Sequence, residues 1–396
     1  MQNRRLLIVA LVTTAACSAP APKGPVPIAS LPDINTAAVL TDIKKLSSDE
    51  FEGRLPGTKG EQLTVAYLVD QFKAAGLEPG NPDGTWLQKV PLVGLTPKFS
   101  GPLVVKKGGA TKTFKVDDEF VPFSKQVTSD VKLENSDIVF VGYGVQAPEF
   151  QWDDYKGVDV KGKTIVMLVN DPPEPDPSNP KALDPKVFGG KAMTYYGRWT
   201  YKYEKAAELG AAAAIIVHET DRAGYPFSVV QGFGGERFDL VPPDRNMSRA
   251  KIESWMSVEA ATALFKMAGQ DYQALKLKAA TRDFKPVPLG MTASFSLKQQ
   301  MRTIDSQNVI AKLPGADPTL KNEYVVLSAH WDHLGVGNPK PGQTDKIYNG
   351  AADNASGTAT MLEIAREMKK VSPAPKRTIL FLAVTAEEQG LLGSQY

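Results

Sequence analysis

Three short stretches in the last seventy residues carry side chains that could do chemistry. His330-Trp-Asp332-His333 follows the apolar run Val325 to Ala329, which puts an imidazole at the carboxyl end of a strand, where open α/β sheets form their ligand crevices. Residues two apart in an extended chain point the same way, so Asp332 can approach the His330 ring. A carboxylate there would fix the tautomer and leave the other ring nitrogen for a metal, although by itself the pattern suits a polar loop better. Asn349 to Gly357 leads into a helix with Met361, Leu362, Ala365 and Met368 on one face, setting Asp353 just before its N-terminus, as a cap, a ligand or both. Thr378 to Val384 is continuously apolar, as a strand buried on both faces would be, and Thr-Ala-Glu387-Glu388 follows. Adjacent glutamates at a helix start could merely favour the dipole. Their position decides it: the histidine and the glutamate pair leave the carboxyl ends of parallel strands joined through the helix that Asp353 begins, so a right-handed crossover would bring all three together.

Carboxylate oxygens with one imidazole and no thiolate suit a divalent ion such as zinc, manganese or cobalt. In a two-metal hydrolytic site one carboxylate bridges the ions, and a further acid, not spent on metal, takes the proton of the attacking water. Two adjacent glutamates can divide these tasks. His218, His330 and His333 are the whole histidine supply, and no two are four apart, so an HExxH helix is excluded.

The elements that must position these groups belong to a chain of 396 residues, enough for two or three domains. Lys and Arg number 46 and Asp and Glu 44, so no global basic surface draws the chain to nucleic acid. A cationic start with Arg4 and Arg5 and an apolar run from Leu6 to Ala16, too short to cross a bilayer, read as a signal peptide. Thr14-Ala-Ala-Cys17 resembles a bacterial lipobox, which makes residues 1–17 the leader and 18–35 a proline-rich tether. An exported chain is expected, held in the cell envelope by lipid or else secreted.

Residues 36–130 open with helical signals: Thr58 to Glu61 forms a capping box before Leu63, Ala66, Tyr67, Val69 and Phe72, and Gly76 is the stop. Residues 131–285 read as a β-rich module with one helix near Lys202 to Leu209 and a strand after Gly210. Residues 286–396 alternate strands at Tyr324 to Ala329 and Thr378 to Val384 with a helix from Ser356 to Val371, which argues a parallel arrangement. Gly142-Tyr-Gly144-Val-Gln-Ala147 imitates a dinucleotide fingerprint, but Pro148 stands where the phosphate helix should begin, so it reads as a turn. His218 has no partner ligand nearby and reads as a strand-end histidine meeting solvent.

HWDHLG, NGAADNASG and AEEQGLLGS resemble the successive site motifs of metallopeptidase family twenty-eight, the dizinc aminopeptidases. Phe51-Glu-Gly-Arg54-Leu-Pro-Gly57-Thr58 resembles that family's N-terminal part, and Lys205-Ala-Ala-Glu-Leu-Gly210-Ala its protease-associated insert. The resemblance implies a mixed, largely parallel α/β sheet with flanking helices, of the zinc exopeptidase type, interrupted by a β-rich protease-associated domain. It implies two zinc ions, with His330 on one, Asp353 bridging, Glu388 on the other, Glu387 as general base and Asp332 orienting His330. Peptides are the implied substrates, and removal of N-terminal residues the implied reaction. A carboxypeptidase on the same scaffold, or a non-catalytic binding ectodomain as in the transferrin receptor, remains an alternative. Ala352 replaces an aspartate common in the family, at a position that is not a ligand. The family also needs an Asp and a His downstream of the glutamate pair, so the resemblance carries the expectation of a C-terminally truncated, inactive chain.

Overall fold

The computed structural model describes residues 26–99, 101–231, 235–337 and 344–396. The leader, the lipobox-like Cys17 and the first part of the tether lie outside them. The chain enters through helix α1 (Thr36–Leu46), whose first N–H groups bond to the Asn35 side chain. Helix α2 (Lys59–Ala74) forms where expected, and Gly76, at φ +73°, ends it. Its reciprocal cap does not form. Thr58 Oγ1 donates to the Leu55 carbonyl at 2.6 Å, and Glu61 accepts the N–H of Gly57, one residue earlier than a capping box requires. Glu61 is buried and takes the Ser306 hydroxyl at 2.8 Å, so a tertiary partner has redirected it. Most of a protein helix's stability comes from tertiary packing of its apolar face and not from propensity. Burial of Leu68 and Phe72, about 2 kcal/mol each, is what holds α2 in place.

Strands β1 (Leu87–Phe99), β2 (Leu103–Lys107), β3 (Ala110–Phe114), β4 (Phe120–Phe123) and β5 (Asp130–Phe140) come next. Then follow β6 (Thr164–Leu168), helix α3 (Trp199–Glu208), β7 (Ala213–His218), β8 (Arg237–Leu240), β9 (Ile252–Ser257), α4 (Val258–Ala268) and α5 (Tyr272–Ala279). The long strand β10 (Val287–Leu313), then β11 (Tyr324–His330), α6 (Ser356–Met368) and β12 (Thr378–Val384) complete the framework. With a short strand at Glu78–Pro79 these make one 13-stranded sheet, whose main path runs β8-β1-β10-β5-β6-β7-β9-β4.

The sheet is mixed, and its parallel share is smaller than expected. Parallel pairing is confined to β5–β6, β6–β7, β7–β9 and β11–β12. The cause is β10, which runs antiparallel to every strand it pairs with and so links the two parallel groups. Its first half alternates, burying Leu289, Met291, Ala293, Phe295 and Leu297 against the β-rich part. Its last residues join β12 instead. Leu103, Val105, Phe114 and Phe120 share the core of that β-rich part, so it draws on residues before 131.

The strands that end at His330 and Val384 pack against helices α2 and α6. Val65, Leu68 and Phe72 of α2, Met361, Leu362 and Ala365 of α6, and Phe381 of β12 form one core with Ala329 and Trp331. Gly142 and Gly144, at φ +59° and +65°, make a turn, and no phosphate helix follows Pro148.

His218 departs from expectation. It is 2% exposed, enclosed by the rings of Tyr225, Phe227 and Trp255 at 5.4–5.8 Å, because the segment after β7 folds back over the strand end. Burial holds its pKa below the usual 6.5. Above pH 6.5 both states are neutral and nothing is lost. Below it the unfolded chain takes up the proton first, so stability falls as pH drops from 6.5 through the folded pKa and levels off beneath it. Chemical denaturation from about pH 7 to pH 5 should show a smaller loss in His218→Phe than in wild type; equal slopes would remove His218 as the cause.

Candidate functional site

Parallel pairing of β11 with β12 aligns His330 with Val384, so both strands deliver their next residues to the same end of the sheet. The backbone continues the match, with Trp331 N–H donating to Val384 O at 3.0 Å. His330, Asp353 and Glu388 come together there: one ligand atom from each lies within 4.8 Å of the others. His330 Nε2 is 3.0 Å from Asp353 Oδ1 and 3.6 Å from Glu387 Oε2.

Asp332 is fully buried, which disposes of a solvated loop at this position. Its carboxylate accepts the N–H groups of Glu387 at 3.0 Å and Glu388 at 3.4 Å, so it fixes the turn that carries the pair. Its relation to His330 differs from expectation. The ring Nδ1 meets the Asp332 backbone oxygen at 3.2 Å, while the nearer carboxylate oxygen stands at 3.7 Å. The carbonyl is the closer orienting group, because the side chain is already engaged by the turn.

Capping does not occupy Asp353. Asn354 Oδ1 accepts the Gly357 N–H at 2.9 Å, leaving the Asp353 carboxylate, 65% exposed, to face the histidine. Glu387 and Glu388 do not start a helix as expected; they lie in a turn in which Gly390 N–H donates to Glu387 O, and the next helical residues begin only at Leu392. A dipole role is thereby removed.

Burial alone would lower the His330 pKa, but the Asp332 carboxylate, with Glu387 and Asp353, outweighs it and lifts the value to about 9. Burial raises Glu387, the His330 charge opposes the rise, and Glu388, Asp332 and Asp353 add to it. Two residues not singled out individually from sequence complete the site. His333 Nδ1 sits 2.5 Å from Glu388 Oε1. Arg54, 1% exposed, lies behind the cluster; burial lowers it to about 10 while Asp332, Glu388 and Asp353 hold it up, so it remains charged at neutral pH. The motif around Arg54 was visible in the sequence, but nothing local says where its side chain ends.

One imidazole and two carboxylates from three different elements fit a borderline divalent ion with three protein ligands. Among the described residues this is the one such group, where two ions were expected.

The set stands at the carboxyl ends of two parallel strands, where α/β sheets place their ligand crevices. Residues 308–396 match the model of Peptidase family M28. The chain is 34% identical to the glutamate carboxypeptidase 2 homolog of Caenorhabditis elegans, over 85% of this chain and 46% of that protein. It is 30% identical to aminopeptidase YwaD of Bacillus subtilis, over 52% of this chain and 35% of that protein. Among solved structures it is similar to the aminopeptidase from Aneurinibacillus sp. strain AM-1, with TM-score 0.45 and 22% identity over 91% of this chain and 65% of that one. The chain spans less than half the length of the two curated relatives.

Proposed function

We propose that this chain belongs to a zinc-dependent exopeptidase that removes N-terminal residues from peptides. The observation that carries it is the convergence of His330, Asp353 and Glu388 with Glu387 standing beside them, outside the ligand set and 3.6 Å from His330 Nε2. A divalent ion held by the three would supply Lewis acidity at the scissile carbonyl and acidify the attacking water. Glu387 takes that water's proton and passes it to the leaving amine, a task favoured by its raised pKa. Asp332 holds the Glu387 and Glu388 backbone in place, and the Asp332 carbonyl orients His330. A purely structural metal site needs no free base, which argues against a non-catalytic ectodomain. In the reading taken from the family, Asp353 would also help to hold a second zinc.

The carboxypeptidase alternative stays because a relative that matches 85% of this chain carries that word in its name. Amino-acyl anilides and carboxy-terminally blocked or free reporter peptides, given to the full-length protein, separate the two. Cleavage only from a free carboxyl end would overturn the aminopeptidase reading, and no cleavage of either kind would favour the ectodomain.

We further propose that residues 131–285 act as a protease-associated domain and that Cys17 anchors an exported lipoprotein in the cell envelope. Cys17→Ser should then block lipid labelling and leave an unprocessed precursor, since one residue is both cleavage point and attachment. Normal processing of the variant, with no label on wild type, would mean plain secretion.

A further inference from the structure

Arg54 makes its hydrogen bonds to backbone carbonyls and not to a carboxylate. Nε donates to Trp331 O at 2.8 Å, one terminal nitrogen to Leu46 O at 2.6 Å and Asn349 O at 2.7 Å, and the other to Gly350 O at 2.9 Å. Trp331 lies between His330 and Asp332, and Asn349 and Gly350 open the loop that ends in Asp353. One planar guanidinium thus ties together the two turns that bring the imidazole and the first carboxylate to the site. The Arg54 carbonyl meanwhile accepts the N–H of His333 at 3.3 Å, and His333 holds Glu388.

The backbone that delivers this side chain is itself unusual. Glu52, Gly53 and Arg54 all take left-handed φ, +47°, +64° and +53°, a conformation that only glycine adopts without strain. Such a run persists where the surroundings over-determine it, and the surroundings here are the site's own loops. A Cβ on Gly53 would stand 2.5 Å from Tyr348 O and 2.6 Å from Gly335 O, and one on Gly350 would stand 2.6 Å from the Arg54 guanidinium. The segment is therefore wedged between the two loops with no slack.

We propose that Arg54 is a positioning residue of the metal site, which fixes the spacing of the His330 and Asp353 turns from behind without touching metal or substrate. The inference rests on the metal-site reading above. A lysine retains charge but offers a single nitrogen that cannot reach both turns in fixed geometry, so Arg54→Lys is the informative variant.

The test uses the full-length protein, with zinc affinity from chelator competition and the visible spectrum of the cobalt-substituted form. Arg54→Lys should bind zinc at least about tenfold more weakly and give an altered cobalt spectrum, since loss of an outer partner costs roughly ten- to a hundredfold. Asp353→Asn, measured in parallel, should lose far more. Folded Arg54→Lys with wild-type affinity and spectrum overturns the inference while leaving the site reading intact. Equal zinc binding in wild type and Asp353→Asn overturns the site reading and the inference with it. Because coupling is reciprocal, wild type gives a readout even if the variants do not fold. Zinc should slow amide exchange at residues 52–54, which contain no ligand, and exchange there unchanged by zinc overturns the proposal.

Discussion

In the full-length protein, Glu387→Gln should lower peptide hydrolysis by about a hundredfold or more while zinc content stays at the wild-type level. The change keeps the size of the side chain and leaves the His330, Asp353 and Glu388 set untouched; what disappears is the group able to take a proton. Glu388→Gln should lose zinc as well as rate, because Glu388 supplies one of three donors within 4.8 Å and is also the partner of His333. The two neighbours thus part company on one measurement, metal content by atomic absorption, even where their rates are similar. Both N–H groups are held by Asp332, so neither substitution releases the turn. Near-normal rates and metal in both variants would show that the pair does not do this work.

The site was legible in the sequence to the degree that it depends on strand ends. A continuous apolar run followed by polar residues marks where a buried strand stops, and parallel pairing of two such runs then fixes where His330 and Glu388 meet. What could not be read locally is what lies behind them. Whether Asp332 serves His330 or the glutamate turn depends on 3.7 Å against 3.0 Å, a difference set by tertiary packing. Arg54 reaches carbonyls nearly 300 residues away, and no periodicity records that. Glu61 had the right spacing for a cap and was claimed by Ser306 instead. The alternation in β10 was present in the residues from Leu289 to Leu297, yet its consequence, one strand joining two parallel groups, is a property of the whole sheet.

The 396-residue chain should self-associate through β11. Its sequence reads as a buried strand, but Tyr324, Val325 and Val326 are 58%, 46% and 52% exposed. Successive residues of a strand face opposite sides, so both faces of its first half are apolar and open. Among the described residues β11 pairs with no strand but β12, so no strand covers its other edge. An exposed edge that is also apolar is a template for another chain, and a charge placed on it is the usual protection. Tyr324→Lys with Val326→Lys puts two cations on one face of that edge while the pairing side keeps its backbone bonds to β12. Sedimentation velocity should then show the variant monomeric at concentrations about tenfold above those at which wild type associates. A wild-type chain that stays monomeric, or a doubly substituted chain that associates equally, would place the sticking surface elsewhere.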